Sequence, residues 1–269
     1  MTHSGATEFG SDSGVRLLRT HGLAELVLDR AAKRNALSYE MWSAIPHLVA
    51  QVEADNAVSV LIVRGAGDHF SAGADISEFE ARRTHPDDVV HYGEIVEQAE
   101  KSLLELHKPS IAMVSGYCLG GGCELALACD MRIASSDAIL GITAARLGIV
   151  YSFLSTYRLV AAVGASYAKY MLTTGAHIPA EEALRVRLVD RMVDTSDLAT
   201  TVEDLALRID RQSQVSVRAA LSIIEKIIDG ATSPDLEAAR LPLDAARSAD
   251  YREGVQAFLA KRRPRFTNR

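Results

Sequence analysis

Apolar and polar positions alternate in part over Leu23-Ala-Glu-Leu-Val-Leu28, the spacing of a half-buried strand. Ser38 precedes Met41, Ile45, Leu48, Val49 and Val52, which recur at helical intervals. The pattern predicts a helix capped by Ser38 and kinked at Pro46. Val58-Ser-Val-Leu-Ile-Val63 is apolar almost throughout, as a strand buried on both faces should be, and stops at Arg64-Gly-Ala-Gly67. A shorter strand is expected over Ser110-Ile-Ala-Met-Val114; it leads into Gly116 and the triple glycine Gly120-Gly-Gly122, and an apolar helix from Cys123 to Ala128 follows. Two further short strands are expected near 131–134 and 139–142.

Helical spacing dominates the second half. Residues 165–172 lead to Thr-Thr-Gly175, and Pro179 sits where the first turn of a helix over 181–188 tolerates proline. Residues 217–228 end before Gly230, a C-terminal cap, and Ser248 caps a last amphipathic helix that should end near Pro264. Strands alternating with helices imply an α/β core followed by a helical C-terminal region.

Composition narrows the function more than the fold. The net charge of -6 provides no basic footprint for nucleic acid. No apolar run reaches the roughly eighteen residues of a membrane span, and the polar start of the chain resembles no signal peptide, so a cytoplasmic location is expected. The three cysteines, Cys118, Cys123 and Cys129, crowd one apolar stretch and lack a second ligand cluster. Buried reduced thiols are expected there, and no metal.

Two segments combine a strand with a glycine-rich turn: His69-Phe-Ser-Ala-Gly-Ala-Asp-Ile76 and Gly116-Tyr-Cys-Leu-Gly-Gly-Gly-Cys-Glu-Leu125. Glycine lets backbone approach a ligand closely. Glycines at a helix start also aim free N–H groups and the positive dipole end at one point, which suits a negative oxygen. An enolate oxygen and a phosphate both qualify, but no Lys-Ser/Thr follows as it does in a phosphate loop.

Phe70-Ser-Ala-Gly-Ala-Asp-Ile76, Gly116 to Asp130, the Met131-Arg-Ile-Ala134 that continues it, Thr174-Gly175, Ala183, Leu188-Val189 and Glu253-Gly-Val-Gln-Ala-Phe258 together resemble the crotonase (enoyl-CoA hydratase/isomerase) superfamily in order and spacing. The resemblance implies a spiral of ββα units over residues 14–195, after a flexible tail over 1–13. It also implies a helical trimerisation region over 196–269, a homotrimer or hexamer, and an acyl-CoA substrate. Coenzyme A would enter as part of that substrate, with no separate cofactor. By the same resemblance Ala74 and Gly121 carry the two oxyanion N–H donors. Ala72, Ala74, Asp75 and Ile76, with Gly120 and Gly121, line the coenzyme A and thioester path. Phe258 and Lys261 fall on a C-terminal helix that can hold the nucleotide end, or simply form an amphipathic face.

Family hydratases divide water activation and proton delivery between two glutamates. Glu124 matches the first, but the second position is Ala144 in Gly141-Ile-Thr-Ala-Ala-Arg-Leu-Gly148. Losing a positioned acid–base group costs about 10²–10⁴ in rate. Leu147-Gly-Ile-Val-Tyr151 is similar to a stretch of methylmalonyl-CoA decarboxylases in which a tyrosine binds the substrate carboxylate; the histidine those enzymes carry at the position of Ala74 is missing. Three readings follow: a decarboxylase using Tyr151, an isomerase or weak hydratase using Glu124 alone, and a non-catalytic acyl-CoA binder. Arg146 is a candidate partner for an acidic substrate group or a surface residue. His85 and His91 fall in a charged stretch where the family has a mobile pocket-lining segment. His69 receives no role.

Overall fold

The computed structural model describes residues 7–9, 13–20 and 22–267. In chain order the strands are β1 (Thr7–Phe9), β2 (Val15–Thr20), β3 (Leu23–Leu28), β4 (Val60–Gly65), β5 (Ser110–Val114), β6 (Tyr117–Leu119), β7 (Met131–Ser135), β8 (Ile139–Gly141), β9 (His177–Pro179) and β10 (Arg191–Val193). The helices are α1 (Tyr39–Ala54), α2 (Phe79–Arg82), α3 (Pro86–Leu104), α4 (Gly121–Ala128), α5 (Phe153–Thr174), α6 (Ala180–Arg185), α7 (Leu198–Asp210), α8 (Gln214–Ile228), α9 (Leu236–Arg247) and α10 (Ala249–Leu259). Among the described residues the strands build a seven-stranded sheet ordered β1-β2-β3-β4-β5-β7-β10 and a three-stranded sheet ordered β6-β8-β9. From β3 to β10 the large sheet is parallel. This is the α/β core with a helical C-terminal region that the pattern implied, in the spiral of ββα units that the resemblance implied.

Why β4 reads as an unbroken apolar run is visible in what covers it. Val60 and Ile62 pack with Leu198, Val202 and Ala206 of α7. The alternate residues Leu61 and Val63 join the main core with Met41 and Ile45 of α1. Both faces are dry, so period-2 alternation has no polar partner to display. Ser38 caps α1, its Oγ accepting from Met41 N at 3.3 Å, and the helix runs on through Pro46 to Ala54.

Several boundaries differ from expectation. β4 begins two residues late and takes in Arg64 and Gly65. Residues 165–172 are the distal part of α5, which bends at Gly164 (φ 75°). Pro179 is the N-cap of α6 rather than its first residue, and that helix stops at Arg185. α10 ends at Leu259, so Lys261 (φ 54°) lies beyond the helix on which it was expected. Within the tail expected over 1–13, Thr7–Phe9 pairs antiparallel with β2, while most of the rest lies outside the described residues. The charged stretch around His85 and His91 is the N-terminal part of a nineteen-residue helix, α3, started by Pro86 and by a reciprocal cap between His85 and Asp88. Cys118, Cys123 and Cys129 are free and buried. Among the described residues no helix is long and apolar enough to cross a membrane.

Candidate active site

The two glycine turns meet because the first is laid along β6. Ser71 N donates to Tyr117 O (2.8 Å) and Leu119 N to Ser71 O (2.9 Å). Two residues on, Leu37 N donates to Gly73 O and Asp75 N to Leu37 O, both at 2.8 Å. These bonds bracket Ala74 and leave its own N–H outside the ladder. Gly120 N is tied to Gly141 O at 2.8 Å, which sets the start of α4. Among the described residues neither the Ala74 nor the Gly121 N–H donates to a protein acceptor. The approach of the turns demands glycine. Gly73 has φ 98°, and a Cβ there would stand 2.8 Å from Leu119 O and 3.5 Å from Gly121 N.

Both amides border one cavity of about 190 Å³, also lined by Ala72, Ile76, Gly120, Glu124, Ala144 and Tyr151. Two backbone donors with no internal partner, one at a helix N-terminus, can receive a thioester oxygen as it becomes negative. Ala144 is brought there by β8, whose Gly141 pairs with Leu119 of β6, so its methyl group forms part of the cavity wall. Glu97 also borders the cavity but is ion-paired to Lys101 at 2.6 Å.

Burial raises the Glu124 carboxyl to about 7, against a weaker opposing hydrogen bond from Tyr151. The Tyr151 hydroxyl donates to Gly120 O at 2.9 Å, which commits its one proton, and it lies beside the Glu124 carboxyl. Burial also drives that phenol well above its ordinary value. Behind Glu124 lies a second carboxyl absent from the sequence reading. Glu100 of α3 is 2 % exposed and is raised to about 8 by burial and then by the charge of Glu124.

Both glutamates hold their proton more tightly folded than unfolded, where the ordinary value is 4.5. Their contribution to stability is therefore greatest below that value and is lost as pH rises through about 7 and about 8. Replacing Glu100 by glutamine should remove part of this loss, so the melting temperature of the variant gains on that of the parent between about pH 4.5 and about pH 8 and the difference then levels off. Thermal melts across that range check it; a constant difference would show that Glu100 ionises without penalty.

Other residues named from sequence lie elsewhere. The Asp75 side chain is 7 % exposed and bonded to Arg30 (3.0 Å), Lys33 (2.9 Å) and Ser77 (2.6 Å). Burial alone would raise its carboxyl, but those partners hold it well below the usual range. It braces the first turn rather than lining the cavity. Phe258 borders a separate cleft beside α10, and neither it nor Lys261 lines the cavity within one chain. Arg146 is exposed and packs on Gly175. The cation on the cavity wall is Arg83, its guanidinium over the Phe79 ring at 4.6 Å and near the Tyr92 ring at 5.4 Å. His69 stacks on Tyr117 at 4.9 Å, its Nδ1 accepting from Tyr117 N. His91 Nε2 is 3.1 Å from the Tyr39 hydroxyl. One signal for Glu100 was present: with Tyr92, Ala99 and Leu103 it falls on the buried stripe of α3, where a carboxylate has no ordinary reason to be.

A family model described as enoyl-CoA hydratase/isomerase matches residues 19–269. A crotonyl-CoA hydratase of Syntrophomonas wolfei is 38 % identical over 258 residues, 92 % of this chain and 95 % of that protein. A short-chain-enoyl-CoA hydratase of Clostridium acetobutylicum is 35 % identical, covering 90 % and 92 %. A crystal structure of a putative enoyl-CoA hydratase/isomerase family protein from Hyphomonas neptunium superposes with a TM-score of 0.93 at 40 % identity, covering 95 % of this chain and 98 % of that one. With two unclaimed amides at one cavity, set by two glycine turns in the family's order, the chain belongs to the enoyl-CoA hydratase/isomerase (crotonase) family.

Proposed function

We propose that this enzyme moves a proton along the acyl group of an enoyl-CoA thioester, as a double-bond isomerase whose acid–base group is Glu124. The observation that carries the reading is the place of Glu124 on the wall of the cavity that both amides border, where burial raises it toward neutrality, while the other wall carboxyl, Glu97, is ion-paired to Lys101 and Ala144 offers none. Glu124 takes a proton from C2 of a 3-enoyl thioester and returns it at C4, while the Ala74 and Gly121 amides hold the dienolate oxygen. One group suits this task because base and acid are the same atoms before and after transfer, and a value near the working pH serves both halves. Ala72, Ala74 and Ile76 line the thioester path. Malonyl-type decarboxylation fits less well, since the Tyr151 hydroxyl is already engaged and Arg83 would stabilise a substrate carboxylate in its ground state.

Assays of the purified chain with a 3-enoyl-CoA, a 2-enoyl-CoA and methylmalonyl-CoA separate these readings. Isomerisation is expected to exceed hydration, and Ala144→Glu should raise hydration by about 10²-fold or more by restoring the second acid–base group. Efficient hydration by the parent chain, or carbon dioxide release without isomerisation, would overturn the proposal. Acyl-CoA binding with no turnover of any of the three would favour a binder. Leu236, Phe258 and Leu259 are 85 %, 83 % and 75 % exposed on α9 and α10. That uncovered apolar surface supports a homotrimer or hexamer built through residues 196–269, a reading that a monomer in sedimentation equilibrium would remove.

A further inference from the structure

Glu100 is a buried acid that the chemistry above does not use. Its oxygens lie 2.8 and 3.0 Å from Ser155 Oγ, which donates to it. Ser155 Oγ is 2.7 Å from Ser152 Oγ, and Ser152 both caps α5 and borders the cavity. The same Ser155 hydroxyl lies close enough to the Glu124 carboxyl to oppose the rise that burial imposes on it. The groups facing Glu100 are Glu124 from α4, Glu97 from its own helix, Tyr151 from the segment before α5, and Arg158 from α5; Arg158 is ion-paired at 2.6 Å to Glu225 of α8. Among the described residues no cation bonds to Glu100 itself. A carboxylate buried with one hydroxyl donor is costly, so the neutral acid is the favoured form while Glu124 carries the charge.

Ser155 has one proton to give. With Glu100 neutral, the Glu100 O–H can donate to Ser155, leaving the Ser155 hydroxyl free to donate to Glu124. Once Glu100 ionises, Ser155 must turn to it, and Glu124 loses a donor while gaining a like charge behind it. We propose that Glu100 is a positioning residue for Glu124, acting through the Ser155 hydroxyl, and that its ionisation disables the proton transfer from the alkaline side. The two carboxyls then titrate as a pair, in which the first charge settles on Glu124 and opposes the second. The upward displacement of Glu100, caused by burial and then by Glu124, agrees with that order.

The inference rests on the isomerase reading for its kinetic arm only. Carbon-13 NMR of the ligand-free protein labelled at glutamate Cδ follows each carboxyl without turnover. In the parent, two buried carboxyls should titrate in successive steps, and in Glu124→Gln the Glu100 step should move toward acid by about one pH unit or more. An unmoved Glu100 step would overturn the coupling whether or not the chain isomerises anything. In kinetics, the parent should show a bell-shaped pH profile, Glu100→Gln should keep the acid limb and lose the alkaline one, and Ser155→Ala should weaken turnover, with Ser155→Thr restoring it. A Glu100→Gln profile that matches the parent's overturns the proposal; two coupled NMR steps without turnover on any enoyl-CoA leave it standing and sink the isomerase reading instead. Should Glu100→Gln fail to fold, the Glu124→Gln titration and the Ser155 pair decide.

Discussion

Converting Glu124 to glutamine will cut kcat for double-bond migration by about 10²- to 10⁴-fold while acyl-CoA affinity stays within a few-fold. Glutamine keeps the shape and can still bond the Tyr151 hydroxyl, so the cavity should persist, but an amide takes no proton from carbon. The loss belongs in kcat because the oxyanion donors and the thioester path are untouched. The fold should not suffer. Glu124 is held near neutrality by burial, so removing its charge relieves a cost at alkaline pH and the melting temperature above pH 7 should rise. Steady-state kinetics paired with calorimetric binding of a saturated acyl-CoA check both halves. A variant with kcat within tenfold of the parent would take the acid–base role from Glu124.

The second large effect is expected at Gly121. A Cβ there would stand 2.7 Å from Trp42 Cζ2 and 3.4 Å from Glu124 Oε2. Trp42 is 1 % exposed and cannot swing away, so Gly121→Ala must displace the first turn of α4 and with it the amide aimed at the thioester oxygen. One oxyanion donor is worth about 10²–10³ in rate, and the overlap should lower stability by about 1–3 kcal/mol. Because the obstacle is an aromatic edge, Trp42→Phe should make room, and the double variant should regain part of both losses in a double-mutant cycle. A Gly121→Ala chain of full activity would mean that this amide is not where charge develops.

Much of this architecture can be read from the chain because its strongest elements are locally determined. β3 and β5 fall where alternation and apolar runs place them, and Ser38 caps α1 because its hydroxyl answers an amide three residues on. The two turns were legible for a related reason: close approach of backbone to backbone leaves glycine few substitutes, so Gly73 and Gly120–Gly122 stand out in any reading. α3 was missed although Pro86, Asp87 and Asp88 mark its start, since the charge density there masks a stripe of only a few buried side chains. The short strands β6, β9 and β10 gain their identity from partners far along the chain, which no local pattern encodes. Asp75 shows the limit of position alone. It sits inside the right motif, yet its side chain turns to Arg30 and Lys33, two residues brought in by the preceding turn. Glu100 and Arg83 reach the site from segments that carry no motif.

The buried thiols of β6 and α4 give the molecule an internal clock. Cys118, Cys123 and Cys129 are 0 %, 0 % and 3 % exposed, and burial holds Cys118 and Cys129 firmly in the unreactive protonated form. A water-borne disulfide reagent can reach Cys118 on β6 and Cys123 on α4 only when those elements part, so the labelling rate of these two measures how often the oxyanion cradle comes undone. Acyl-CoA that seats in the closed cradle will slow that rate in proportion to its occupancy, which turns an inert pair of side chains into a gauge of ligand binding that needs no catalysis at all.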